Sequence, residues 1–498
     1  MRQPMSLAEP HHPLHNTPPH WGVLLVLVLP WVQPCAPGPV SNVMPWLISW
    51  ACLALAAFGW RQVTVSAVFH SWAIAALISS VIGLIQYFGK AEAFWPLVHV
   101  PDYLGDAVGN LRQRNQLATL LSMGLLAVLW WRLHGLTSVQ AWIMTAVLCT
   151  ALAATSSRTG LLQLVGITLW MALQWRQARM RQLLRLCVFA LGVYTLAAWV
   201  LPWSLQHMTG QATFNAMVRM TTDDGCGSRK VLWSNVLHLL AQKPLSGWGW
   251  DALRHAHYIT DYGDTRFCAV MGNAHNLPLH LAVVWGIPAA AALMLALMAA
   301  VWMAKPWQVQ GADRCMGWGV LCVIAVHSAL EYPLWYGPFQ IALVLCLWVM
   351  GGQIWWSMRA SNSLKSAALL VLSALACLAY DYQQVRQIYL PPAQRWAVWR
   401  DKPLEVAQRS WFFETAALFA ELTTTRVTPD NARWVLEASQ ELLLSTPDPR
   451  VVLQLIEAAQ LLDEDDLRDF HLARLQKVYP EDHARWVDRQ AKTQKSKR

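Results

Sequence analysis

Six side chains in this 498-residue sequence have the chemistry to handle a phosphorylated electrophile. Arg158 in TSSRTGLLQLV and Arg229 in GSRKVLWSNVLHLL carry guanidiniums, whose planar forks match phosphate oxygens two at a time and stay charged. Facing one external cavity, the two would clamp a diphosphate. His275 in NAHNLPLHLAVVWG stands ahead of an apolar run. A helix N-terminus and nearby arginines there would favour neutral imidazole, the form that accepts a proton from a hydroxyl. Glu331 in HSALEYPLWYGPF is an ionisable group at the edge of another apolar run, where such groups are costly and mark function. Arg112 and Arg114 in GNLRQRNQLA complete the set. Each has a simpler reading: Arg158 as a snorkelling anchor, Arg229 as a headgroup anchor, His275 as an interfacial hydrogen-bonding group, Glu331 as an arginine's partner.

The elements that must position these residues are membrane helices. Hydrophobic residues make up 55% of the chain and charged ones 13%, half the quarter expected of a soluble domain. Apolar stretches near the 20 residues that span hydrocarbon recur, with Trp clustered near their ends. The reading is an all-α polytopic bundle of eleven transmembrane spans near 21–35, 44–60, 64–88, 115–131, 138–155, 159–175, 184–203, 276–303, 315–333, 338–357 and 364–381. One set of alternate loops carries ten basic residues, Arg61, Arg176 and Arg359 among them. The other carries Lys90, Arg112, Arg114 and Arg158. The positive-inside tendency then puts the N-terminus in the cytoplasm and the C-terminus outside. The expected order is a disordered cytoplasmic segment 1–20, spans one to seven over 21–203, a large external loop 204–275, spans eight to eleven over 276–382, and an external helical tail 383–498. The tail's apolar spacing and Pro breaks read as three to five amphipathic helices resembling helical-repeat hairpins. Within the loop, Trp233, Leu237 and Leu240 share one face of an expected interfacial helix that Arg229 opens.

Other clusters carry less. Cys226 and Cys268 lie in the external loop, where oxidation is permitted, and are expected to form a disulfide; seven other cysteines sit in or beside apolar spans. His255, His257, His275 and His280 supply enough nitrogens for zinc but match no familiar ligand spacing. Asp223 and Asp224 could hold a divalent ion, or form a turn. GWGW lacks the third glycine and the preceding strand of a phosphate loop. DEDD at 463–466 reads as an acidic helix start. The net charge of +9 suits anionic membrane lipids rather than nucleic acid, because no basic stripe lies on a soluble face.

The ordered motifs GNLRQRNQLA, SSRTGLL, SRKVLW with PLSGWGW, NAHNLPLHLAVVWG and EYPLWY resemble bacterial O-oligosaccharyltransferases of the PglL type. These belong with the Wzy O-antigen polymerases and WaaL O-antigen ligases, and the similarity runs from about residue 20 into the tail. The resemblance implies a GT-C-like fold and a glycosyltransferase needing no metal or other cofactor, working on the periplasmic face of the inner membrane. Its donor would be an undecaprenyl-diphosphate-linked oligosaccharide and its acceptor a Ser or Thr of a pilin-like periplasmic protein. His275, Arg158 and Arg229 fall on the catalytic positions. Asn276, Arg114, Glu331 and Tyr332 are the expected substrate contacts. Ala289 stands where the ligase pattern has Gly, Thr or Tyr, which weighs against the lipid A ligase reading. The alternatives are an O-antigen ligase acting on lipid A core, a Wzy-type polymerase, and a non-enzymatic lipid-linked glycan transporter. A transporter would spread its charges across the midplane rather than on one side.

Overall fold

A computed structural model describes residues 20–59, 62–174, 178–211, 225–309, 311–351 and 362–497. Most of the expected N-terminal segment, Arg61, Arg176, Arg359 and the Asp223–Asp224 pair lie outside the described residues. Every described regular element is a helix, and the chain divides into two compact units: 1–36, 41–222 and 301–375 form the first, and 37–40, 223–300 and 376–498 the second.

The first unit is a bundle of α1 (Trp21–Val32), α2 (Val43–Phe58), α3 (Val65–Tyr87), α4 (Arg114–Leu133), α5 (Ser138–Ala154), α6 (Arg158–Leu173), α7 (Ala178–Thr209), α12 (Ala312–Leu330) and α13 (Gly337–Gly351). Its centre is α4, buried on every side from Asn115 to Trp130 and packed by α3, α5, α6 and α12. A helix apolar all round can lie only in such a position. Small residues let the backbones close in: a Cβ on Gly124 would stand 2.2 Å from that of Ala76 on α3, and one on Gly160 would stand 2.8 Å from that of Ala118.

A helix occupies each of the eleven expected spans, and among the described residues five stretches are long and apolar enough to cross a membrane: Val65–Tyr87, Arg114–Leu133, Arg181–Thr209, Ile287–Gln308 and Ser363–Tyr389. The others fall short mainly in length. α1, for example, has 12 residues, well under the roughly 20 that span hydrocarbon.

The second unit contains α8 (Arg229–Gln242), α9 (Leu253–Ile259), α10 (Leu277–Trp285) and most of α11 (Ile287–Ala304), with the tail that follows α14 (Asn362–Arg386). The expected eighth span is therefore two helices. Its break is Gly286, at φ +87° and ψ 160°, a region essentially closed to other residues. The PLSGWGW loop uses the opening: Ile287 N–H donates to the Pro244 carbonyl at 2.8 Å, and Trp248 and Gly249 N–H to those of Val283 and Val284 at 2.9 and 3.0 Å.

The tail forms α15 (Pro403–Ala407), α16 (Glu414–Thr424), α17 (Ala432–Leu443), α18 (Pro449–Leu461), α19 (Asp465–Val478) and α20 (Pro480–Lys497), with neighbours from α16 to α20 packing in sequence order. DEDD forms the start of α19, and Arg433 pairs with Glu464 at 3.4 Å. External loop and tail, expected as separate regions, share one core: Tyr258 of α9 is buried among α17 to α19, and its hydroxyl meets His471 Nδ1 at 2.9 Å.

Candidate active-site elements

One local design recurs beside the candidate residues. Arg112, Ser156 and His275 have positive φ (61°, 49° and 50°), and each precedes a polar cap: Gln113, Ser157 and Asn276. The cap oxygen accepts the N–H of the third helical residue: Gln116 at 2.7 Å, Gly160 at 3.0 Å and Leu279 at 2.9 Å. The left-handed residue turns the chain and the cap then satisfies a helix N–H that would otherwise lack a partner. Arg158 and Arg114 occupy the first position of their helices, as does Arg229 after Ser228, whose hydroxyl accepts from Val231 at 3.3 Å. Each guanidinium thus begins where several backbone N–H groups point the same way, an arrangement suited to an anion.

In the first unit, Arg114 pairs with Asp106 at 2.9 Å, and Arg112 donates to the carbonyls of Pro34 and Ala36. Glu331 ends α12 and is buried; its carboxylate accepts from Asn115 at 3.0 Å. Asn115 also accepts from Ser157 at 2.6 Å, so Glu331 is linked through one amide to the cap of the Arg158 helix. Tyr332, half-buried, stacks on Tyr336 with ring centroids 5.8 Å apart. Below them, Thr119 contacts His327 Nδ1 at 2.8 Å and accepts from Gln163 at 2.8 Å, a fully buried polar cluster.

In the second unit, α8 packs through Leu232, Val236 and Leu239, with Trp233 and Leu240 partly buried against the same core; Leu237, on the face expected to be interfacial, is 55% exposed. Both stripes have helical spacing. The Trp233 indole N–H donates to the Ala274 carbonyl at 3.0 Å and so ties this helix to the turn beside His275. His275 is half-buried, with its N–H donating to Asn273 Oδ1 at 2.9 Å. Cys226 and Cys268 are joined as a disulfide, Cα atoms 5.4 Å apart, and Asn235 braces that loop through the Thr265 carbonyl and the Phe267 N–H.

The loop histidines do not converge. His255 Nδ1 contacts the Leu443 carbonyl, while His257 contacts the Tyr262 hydroxyl and the Phe267 carbonyl. Burial, helped by Arg266, pushes His257 down to about 3. Among the described residues no three His, Cys, Asp or Glu side chains come together as a metal site.

Comparison with known proteins follows the same segments. A protein glycosylation ligase model matches residues 107–131, an O-antigen ligase model 141–294, and a model described as the C-terminal part of a virulence factor membrane-bound polymerase 315–494. A general O-oligosaccharyltransferase of Acinetobacter baylyi is 23% identical over 280 residues. The chain is similar to PglL-type ligases of the Wzy/WaaL superfamily. The aligned region takes in 53% of this chain and 47% of that relative, so the match spans about half the relative's length. No solved structure matches. The first matched segment holds Arg112, Arg114 and Asn115, the second Arg158, Arg229 and His275, and the third Glu331 and Tyr332. Asn115 and Ser157 were not singled out from the sequence, although both sit inside the quoted motifs; their signal is a polar residue at the mouth of an apolar run.

Proposed function

We propose that this protein is an O-oligosaccharyltransferase of the bacterial inner membrane. It moves an oligosaccharide en bloc from undecaprenyl diphosphate to a Ser or Thr of a pilin-like periplasmic protein. The observation that carries the reading is the common setting of Arg158, Arg229 and His275, each beside a capped helix N-terminus in segments that match known glycan ligases. His275 takes the proton from the acceptor hydroxyl. That oxygen bonds to the anomeric carbon, the bond from this carbon to the diphosphate oxygen breaks, and its electron pair leaves with undecaprenyl diphosphate. Arg158 and Arg229 hold the growing charge, so the leaving group needs no acid and the reaction no metal. Glu331, Tyr332 and Asn276 serve the glycan, and Arg114, paired with Asp106, holds the 106–114 loop that opens α4.

A second reading has its own support, since the O-antigen ligase match covers all three catalytic candidates. Lipid A core would then be the acceptor. The deciding experiment is transfer of a labelled glycan from undecaprenyl diphosphate by the purified protein, with chelator present, to a Ser-rich pilin-like protein or to lipid A core. Glycosylated protein from the wild type and none from His275→Ala supports the reading. Transfer by both removes His275 from the chemistry, and transfer to lipid A core alone replaces the acceptor.

A further inference from the structure

Three helix ends of the first unit meet through one side chain. Asn115, the second residue of α4, accepts from the Ser157 hydroxyl at 2.6 Å and donates to Glu331 Oε1 at 3.0 Å. Ser157 in turn accepts the Gly160 N–H at 3.0 Å and so caps α6, while the Glu331 N–H bonds the His327 carbonyl at 2.7 Å and closes α12. Ser157, Asn115 and Glu331 are 1%, 8% and 8% exposed, leaving little water to replace a lost partner. Only a side chain that both donates and accepts can bridge a hydroxyl and a carboxylate in this way. Ser156 before the cap is held at φ +49°, so the turn into α6 is strained and needs restraint from its surroundings.

We propose that Asn115 is a positioning residue for glycan transfer, tying the start of the Arg158 helix to the Glu331 carboxylate. The proposal rests on the oligosaccharyltransferase reading given above. Asn115 touches no reacting atom; it fixes where Arg158 begins relative to Glu331. A guanidinium that stabilises a leaving diphosphate acts on the transition state, so its misplacement lowers kcat more than it raises KM. Misplacement by about 1 Å costs on the order of 10²-fold in rate.

The test uses the full-length protein with Asn115→Ala and Asn115→Asp. Asn115→Ala should lower kcat by about 10²-fold with donor KM little changed. Asn115→Asp keeps the acceptor for Ser157 but sets a second carboxylate against Glu331, and two acids about 3 Å apart cannot both ionise. With one shared proton the pair bridges as the amide does, and when that proton leaves repulsion opens the tie. The remaining titratable groups on these helices and the 331–336 turn are Arg114, Arg132, Arg158, Asp313, Arg314, Cys315, Cys322, His327, Tyr332 and Tyr336, none of which is changed. The activity of Asn115→Asp relative to wild type should therefore rise as pH is lowered from about 8 to about 5, while the Asn115→Ala ratio stays flat. A residue that serves only packing would give flat ratios for both.

Amide exchange at Gly160 and Leu161 supplies an activity-free readout, faster in Asn115→Ala than in wild type. A kcat for Asn115→Ala within twofold of wild type, or a pH-independent Asn115→Asp ratio, overturns the proposal. If the wild type glycosylates no protein, the same ratios are read with lipid A core as acceptor. Faster exchange with the same pH-dependent ratio there supports Asn115 while the protein-acceptor reading falls.

Discussion

Gly286→Ala tests whether the broken eighth span is built by the PLSGWGW loop. A Cβ at Gly286 would stand 2.0 Å from the Leu245 carbonyl oxygen and 2.4 Å from its carbon, both backbone atoms with nowhere to rotate. The loop must withdraw by more than 1 Å or so, which opens the bonds of Ile287 to Pro244, Trp248 to Val283 and Gly249 to Val284. Each is worth about 1 kcal/mol at the low end when a partly buried group loses its partner. Holding alanine at φ +87° adds about 1 kcal/mol or more. The minimum is about 4 kcal/mol, close to a 10³-fold shift in the local opening equilibrium at about 1.4 kcal/mol per decade. Hydrogen exchange of amides 247–249 and 286–287 should accelerate by about that factor. Glycan transfer should fall with it, because α10 and the His275 turn lose their support. Gly166→Ala is the control: a Cβ there meets nothing within 4 Å and gains helix propensity. Wild-type exchange and turnover in Gly286→Ala would refute the reasoning, since they require the loop to absorb the clash without losing a bond.

The other expectations are shorter. Cys226→Ser should weaken the loop by up to about 4 kcal/mol on the chain-entropy model, given its separation of 42 residues from Cys268, and make residues 225–275 protease-sensitive as dithiothreitol does the wild type. The tail should lose stability in acid. Burial, with His255 and Arg474 beside it, pushes His471 down to about 4 from an unfolded value near 6.5, so protons bind the unfolded chain first. Stability is then full above about pH 6.5 and falls toward pH 4, by up to about 3 kcal/mol for this residue, and His257 acts in the same direction. Thermal melts between those pH values check the slope, which should flatten in His471→Gln. Pyrophosphate at saturating concentration should raise the melting temperature of the wild type, and Arg158→Gln should lessen the rise; equal shifts in both would remove Arg158 from diphosphate binding.

Much of the fold was legible because hydrophobic run length is a strong signal: a helix stands at each of the eleven expected positions, and the tail's periodicity gave its stacked helices. Two features were not legible, for different reasons. At Gly286 a glycine inside a long apolar run is compatible with an unbroken helix, and only the distant PLSGWGW loop makes it a break. On α8 the core-facing stripe 232/236/239 lies beside the 233/237/240 stripe read as interfacial, and the shared spacing does not say which one packs inward. The candidate residues were picked out by type, because arginine and histidine at membrane boundaries need a reason. Their linkage was not, because Asn115, Ser157 and Glu331 are separated in sequence by 42 and 216 residues from the shared asparagine.

The local energetics favour an anion at these helix starts. Arginine at a first helical position opposes the macrodipole by roughly 0.3–1 kcal/mol, and a non-glycine residue in the left-handed region before the cap adds about 1–2 kcal/mol. Three tail helices open differently: α16, α19 and α20 begin with Glu414, with Asp465 and Asp466, and with Glu481 and Asp482, whereas α17 and α18 have no acid in the first turn. The helices that begin at Arg114, Arg158, Arg229 and Leu277 have no acid in the first turn. Ser157, Ser228 and Asn276 offset part of the cost, at about 1 kcal/mol for each cap. A diphosphate leaving group at the Arg158 and Arg229 starts would offset part of the remaining cost as its charge grows. The relief is greatest when the glycosidic bond is breaking, which is the condition for an interaction to accelerate the reaction rather than merely tighten binding.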